Sequence, residues 1–149
     1  MSNTQVSMQQ IEGGRASFAF QEVKHSTTAL NDKDKVKLYS SYLKRLPSMI
    51  QVNGLGQAIA FYYSKKNKGN EYELIYQSIG KWLQGNPVNM LDTNKELVEA
   101  IVELNSEEYR RVTVEVLALL NWMRKFATGK HAEWEDEATE GSKKERGNS

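Results

Sequence analysis

An all-α protein, a single-domain bundle of about six helices with no sheet, is what the chain predicts. Three observations lead there. Apolar residues recur at three- and four-residue spacing through most of the 149 residues. No segment sustains the period-two alternation, rich in β-branched residues, that marks a half-buried strand. Punctuation is sparse, with two prolines (Pro47 and Pro87) and ten glycines, often placed where helical periodicity stops. With 39% apolar residues, a chain of this length can fill one core.

The first helix is expected over residues 5–28, with Ile11, Phe18, Ala19 and Val23 on one face. Gly13 and Gly14 mark where it starts or bends, because each glycine costs about 1 kcal/mol relative to alanine. Asp32 suits the N-cap of a second helix. Val36, Tyr39, Leu43 and Leu46 form its inward stripe, and Pro47 ends or kinks it. A turn over residues 48–53 leads to Gly54. The third helix then sets Leu55, Ala58, Ile59 and Tyr62 inward and stops at Gly69. Asn70 with Glu73 reads as a capping box for the fourth helix, striped by Tyr72, Ile75, Ile79 and Trp82 and ended by Gly85-Asn86-Pro87. Thr93 with Glu96 offers a second capping box, before Leu97, Ile101 and Leu104.

Ser106 is the expected cap of the last helix, residues 106–128, with Glu107 and Glu108 in the first turn, where the helix dipole favours anions. Tyr109, Val112, Val116, Leu119, Leu120, Met123 and Ala127 share its inner face, and Gly129 closes it. The organisation expected is a helical domain over residues 1–128 and a charged tail over 129–149. That tail carries four basic and six acidic residues and too little apolar surface to offset its ordering entropy, so it is expected to be disordered.

Composition removes several functions. Twenty Lys and Arg against 19 Asp and Glu leave a net charge of +1, which excludes a uniformly basic protein but not a basic face. There is no cysteine, so disulfide scaffolds, cysteine-ligated zinc, iron–sulfur clusters and thiol nucleophiles are excluded. No apolar run is long enough to span a membrane, and the first residues lack the pattern of a signal peptide. A cytoplasmic protein with no membrane partner is expected.

Catalytic sets are equally scarce. His25 and His131 are the only histidines, and no zinc-protease, nucleophile-elbow or P-loop pattern occurs. Gly54 and Gly56 lack the following Lys-Ser/Thr and a preceding strand, so they read as a turn. Glu133, Glu135, Asp136 and Glu137 read as a solvated acidic run rather than a metal site. The expectation is a protein with no catalytic residues, metal or cofactor.

The basic residues carry more information. Arg110 and Arg124 are fourteen positions apart on the last helix, as are Arg111 and Lys125. Fourteen positions make nearly four turns, so each pair lines one side, with heads ~21 Å apart. Such rows can track the phosphates of a nucleic acid, and Asn121 lies between Arg110 and Arg124. Lys33, Lys37 and Lys44 share a face of the second helix, with Arg45 adjacent, and Lys65, Lys66 and Lys68 crowd the end of the third. Taken alone, each group is more simply a solvated helix face, and the lysines after Ser64 a favourable helix terminus. Val114, Leu117, Ala118 and Trp122 lie off the last helix's main stripe, which fits central burial or an interface. Glu96, Glu99 and Glu103 make an acidic stripe that, opposed to the basic rows, suits head-to-tail stacking, although separate solvated faces are the simpler reading.

Two long segments bear a family likeness. Residues 39–61, YSSYLKRLPSMIQVNGLGQAIAF, hold Leu46-Pro47, Ile50, Asn53-Gly54-Leu55, Gln57-Ala58 and Phe61. Residues 109–127, YRRVTVEVLALLNWMRKFA, hold Tyr109-Arg110, Thr113, Glu115, Leu117-Ala118, Trp122, Arg124 and Phe126-Ala127. With Arg15-Ala16, Ala19 and Val23 ahead of them, these resemble the small helical subunit of type III-B CRISPR effector complexes, the Cmr complexes, over roughly residues 11–128. The tail after Gly129 has no counterpart in the likeness.

The resemblance implies a non-catalytic subunit of an antiviral ribonucleoprotein. Copies stack beside the backbone filament and hold the guide RNA–target RNA duplex on basic surfaces. Partners would be the backbone subunit, the large subunit, further copies of itself, guide RNA and target RNA. Base pairing reads sequence, so the protein needs only to grip backbone. RNA-contact candidates are Arg110, Arg111, Arg124 and Lys125, followed by Lys44, Arg45 and Arg15 inside the family-like segments; Asn53 and Gln57 read as structural. The alternatives are a helical protein-interaction module without nucleic-acid contact and a small hydrolase.

Overall fold

Stripes of apolar residues on successive helices close on one core, in which Val23, Leu43, Ile59, Ile79 and Leu119 have no exposed surface. The structure is a computed structural model that describes residues 8–147, with side chains described over residues 12–136. Six helices follow in order: α1 (Met8–Leu30), α2 (Lys33–Asn53), α3 (Leu55–Lys65), α4 (Glu71–Gln84), α5 (Leu97–Val102) and α6 (Ser106–Gly147). No strand occurs among the described residues, and the protein is all-α as its periodicity predicts. Residues 5–7, expected in α1, and the side chain of Ile11 lie outside the described residues.

The bundle is organised around α6, which packs chiefly against α1 and α2, while α3 and α4 pack on α2 and α5 on α3. Its inner face buries Val112, Val116, Leu119, Leu120, Met123 and Ala127, as the spacing predicts. Burying a side chain of Leu or Val size contributes roughly 1.5–3 kcal/mol.

Helix boundaries depart from expectation in five places. Pro47 does not end α2, which runs on to Asn53. The proline removes one backbone donor, but Leu46 and Ile50 on either side of it are both buried and hold the segment helical. The stop comes at Gly54, whose φ of 89° favours glycine and whose N–H donates to the Ile50 carbonyl at 2.8 Å. α3 ends at Lys65 rather than Gly69, and Gly69 (φ 77°) instead turns the chain into α4.

At α4 the Asn70 side chain accepts from Glu73 N–H as expected, but the Glu73 carboxylate reaches back to Gly69 N–H at 2.7 Å. The Thr93 capping box is absent. α5 starts after Glu96 without a side-chain cap of its own, and Tyr76 Oη accepts from Val98 N–H while donating to the Glu96 carboxylate. Asn105, not Ser106, caps α6. It accepts from Glu108 N–H at 2.9 Å while Glu108 accepts from Asn105 N–H at 3.3 Å.

The fifth departure is the tail. α6, expected to close at Gly129, runs through it to Gly147, and residues 148 and 149 of the expected tail lie outside the described residues. Gly129 costs about 1 kcal/mol, but no proline or turn follows it. Lys130 meets Glu133 at 3.4 Å, His131 meets Glu135 at 3.6 Å, and Trp134 packs against the core. Contacts at these spacings support helix.

Candidate nucleic-acid interface

The seven cations read from the sequence separate into four environments. Arg15 sits in the first. It is drawn onto α6, where its Nε and Nη2 donate to the two carboxylate oxygens of Glu115 at 2.8 and 3.0 Å. Trp82 Nε1 of α4 donates to the same carboxylate at 2.8 Å. The Arg15 and Glu115 side chains are only 15% and 13% exposed. Hydrogen bonding to Glu115 raises the Arg15 pKa, and burial opposes it. A guanidinium already forked onto a carboxylate is neutralised. Arg15 therefore ties α1, α4 and α6 together rather than presenting charge to a ligand.

The second environment is a polar cleft of about 400 Å³ between α2 and α6, lined by Lys44, Pro47, Ser48, Gln51, Leu117, Asn121 and Arg124. Lys44, Ser48 and Gln51 stand at positions i, i+4 and i+7 of α2; Leu117, Asn121 and Arg124 repeat that spacing on α6. Each set is one helix face, and the two faces meet across the cleft. Arg124 Nη2 donates to Asn121 Oδ1 at 3.0 Å, which orients the guanidinium. None of the lining residues is acidic. Lys44, Arg124 and the adjacent Lys125 are exposed. A planar guanidinium, an ammonium, two amides and a hydroxyl without a carboxylate suit an anion such as phosphate.

The third environment is the N-terminal half of α6. Arg110 is exposed and opens on a depression of about 610 Å³ with Val102, Leu104, Ser106, Tyr109, Thr113 and Val114. Val102 and Val114 are each 63% exposed. Arg111 lines a separate depression with Met90, Glu108 and Val112. Arg110 and Arg124 thus both stay outside the core on α6, but the strip between them is interrupted by Val114 and Leu117. Arg45 stands apart again: its Cζ lies 5.1 Å from the Tyr42 ring centroid, and it donates to Tyr72 Oη at 3.3 Å. Tyr42 and Tyr72 stack at 4.3 Å.

Ser48 and Gln51 are missed by a sequence reading that ends α2 at Pro47. Continuing its register past the proline puts both on the Lys44 face. Glu115 lies at a family-like position, but its joint hold on Arg15 and Trp82 depends on contacts 100 and 33 positions away along the chain. Tyr109 also acts at a distance. Its hydroxyl accepts from Gly56 N–H at 2.7 Å and so caps α3, whose N-cap residue Gly54 has no side chain to do so. A Cβ at Gly54 or Gly56 would lie 3.3 or 3.4 Å from that hydroxyl.

Fold and surface together define an all-α bundle with clefts lined by cations, amides and apolar side chains. Among the described residues no group of three or more His, Asp or Glu is placed to hold a metal, and no helix is long and apolar enough to cross a membrane. Residues 11–130 match the family of the CRISPR-associated protein Cas_Cmr5, and the chain belongs to that family. It is similar to a crystal structure of a CRISPR-associated Cmr5 family protein from Thermus thermophilus. The TM-score is 0.63 and the identity 26%, covering 79% of this chain and 97% of that one. The likeness to the Cmr small subunit drawn from residues 39–61 and 109–127 is thereby borne out, and the protein is a CRISPR-associated Cmr subunit.

Proposed function

We propose that this chain is the non-catalytic small subunit of a cytoplasmic type III-B RNA-guided effector. It stacks beside the backbone subunits and holds the guide RNA–target RNA duplex by its phosphates. The observation that carries this reading is the convergence of Lys44 and Arg124, 80 positions apart in sequence, on one cleft with no acidic lining residue. Lys125 flanks the cleft and Asn121 orients Arg124. The grip is electrostatic: phosphate contacts release counterions and carry no base information, which suits a complex whose sequence readout is base pairing.

Arg110 and Arg111 are left out of this grip, since one opens on an apolar depression and the other lies with Glu108. Arg15 is left out because Glu115 holds it. Arg45 belongs to an aromatic cluster away from the cleft lining.

The test is retention of guide RNA by the assembled complex carrying Lys44→Ala, Arg124→Ala or both. Retention should fall alike for unrelated guide sequences, and the dependence of log affinity on log salt should flatten by ~1 for each cation removed. Unchanged retention in the double variant, or loss confined to one guide, would overturn the reading. In that case the exposed Val102 and Val114 favour a purely protein-binding module.

A further inference from the structure

We propose that the aromatic and cationic face formed by Tyr42, Arg45, Phe61, Lys65 and Tyr72 binds unpaired nucleotides of single-stranded RNA. Bases stack on the Phe61 ring and the Arg45 guanidinium plane, and phosphates meet the cations beside them. Three helices build this face. On α2, Arg45 stands three positions after Tyr42 and sets its Cζ 5.1 Å from that ring. On α3, Lys65 stands four positions after Phe61 and sets its Nζ 5.7 Å from that ring. Tyr72, in the first turn of α4, joins the two pairs. It stacks on Tyr42 at 4.3 Å and meets Phe61 edge-on at 6.2 Å. The buried Tyr62 holds the cluster from below: its hydroxyl donates to the Tyr42 carbonyl at 2.6 Å, and Arg45 donates to Tyr72 Oη at 3.3 Å. Outward the face is open, with Phe61 36% exposed and Arg45 and Lys65 both exposed.

An acidic peptide would use the cations alone, and an apolar helix the rings alone. A single strand of RNA uses both, because every base has a π-face and every linkage a phosphate. Charge points the same way. Residues 35–70 hold seven Lys and Arg and no Asp or Glu, in a chain whose net charge is +1. Neither Arg45 nor Lys65 enters an ion pair among the described residues. Glu71 is the carboxylate that bears on the cluster: burial, then Tyr72 and Glu71, raise the Tyr42 pKa against Arg45. Arg45 follows Lys44 on α2 but stands about 100° round the helix, and neither Phe61, Lys65 nor Tyr72 lines the Lys44–Arg124 cleft. This is a second site with its own preference: the cleft takes phosphate, and this face takes bases as well. The inference rests on the proposed function only in the choice of RNA over DNA.

Fluorescence anisotropy of the full chain with two short labelled probes at low salt tests it. One probe is oligoadenylate, and the other is an abasic oligoribonucleotide of the same length. Oligoadenylate should bind about tenfold more tightly, the effect of one stacked base. Phe61→Leu and Arg45→Lys should each erase most of that advantage and leave abasic binding as it was. Arg45→Lys keeps the charge at an exposed position, so it remains decisive if Phe61→Leu fails to fold. Lys65→Ala should weaken both probes alike and flatten the salt dependence by ~0.7, the single-strand value for one phosphate contact. The proposal is overturned if oligoadenylate does not bind, if the two probes bind equally, or if Arg45→Lys, folded by circular dichroism, keeps the full advantage. It is also overturned if polyglutamate displaces the labelled strand as readily as unlabelled oligoadenylate does. The Lys44→Ala, Arg124→Ala double variant should keep the advantage of bases over abasic strand. If that variant also keeps guide RNA in the complex, the phosphate grip fails and this site stands; equal binding of the two probes fails this site and leaves the grip.

Discussion

Arg15 and Arg124 are the same residue type, both inside family-like segments, and the bundle uses them oppositely. Arg15 points across to α6 and is held at both ends of its fork by Glu115, beside the Trp82 indole, largely out of solvent. Arg124 projects from the outer side of α6 into a cleft with Lys44, oriented by an amide and not neutralised by a lining carboxylate. The first arrangement uses charge to fix three helices in register. The second leaves charge available to a ligand. The difference comes from the neighbours, since a guanidinium paired in a low-dielectric site exerts little field beyond its partner.

Breaking the interior member should have the largest effect. Glu115→Ala removes three hydrogen bonds at once and leaves a largely buried guanidinium and an indole N–H without their acceptor. The expected loss is roughly 3 kcal/mol, read as a fall in Tm of roughly 10 °C by calorimetry. RNA retention by complexes that do assemble should be unchanged.

The interior is also the region sensitive to alkali. Burial pushes the Tyr62 hydroxyl up to about 12, and Tyr39 and Tyr76 are raised by the same cause. Each folded-state tyrosine keeps its proton after the unfolded chain has lost its own near pH 10. Their contribution is therefore complete below pH 10 and is lost as pH climbs through the folded values. Stability should fall by about 1.4 kcal/mol per pH unit for each such tyrosine. Thermal unfolding measured from pH 9 to 12 checks this, and a flat profile would contradict it.

The exposed member should behave in reverse. Arg124→Ala and Lys44→Ala should lower RNA retention and salt dependence while moving stability by less than about 0.5 kcal/mol, the range of ordinary surface substitutions. A drop in Tm comparable to that of Glu115→Ala would erase the contrast. The smallest test concerns a shared support. Tyr109→Phe removes the acceptor of Gly56 N–H at the start of α3 and should cost about 1 kcal/mol by denaturant titration, leaving the cleft's cations in place.

Much of this architecture is legible in the sequence. The inner stripe of α6, from Val112 to Ala127, follows directly from 3.6-residue periodicity, and the apolar stripes of all six helices can be read the same way. Local stop signals mislead where packing outweighs them. Leu46 and Ile50 hold α2 together across Pro47, and Trp134 with the pairs at 130–133 and 131–135 carries α6 past Gly129. Caps are misplaced where the donor or acceptor comes from elsewhere: Tyr76 serves α5 and Tyr109 serves α3, over separations no local pattern encodes.

By itself, the order of residues determined the helices, the all-α class and the family, because periodicity and the family-like segments are properties of neighbours along the chain. Only the tertiary structure decided which cations remain available. That depends on which carboxylate, amide or ring arrives from a distant helix, and Coulomb and hydrogen-bond energies are set by distance in space rather than by separation in sequence.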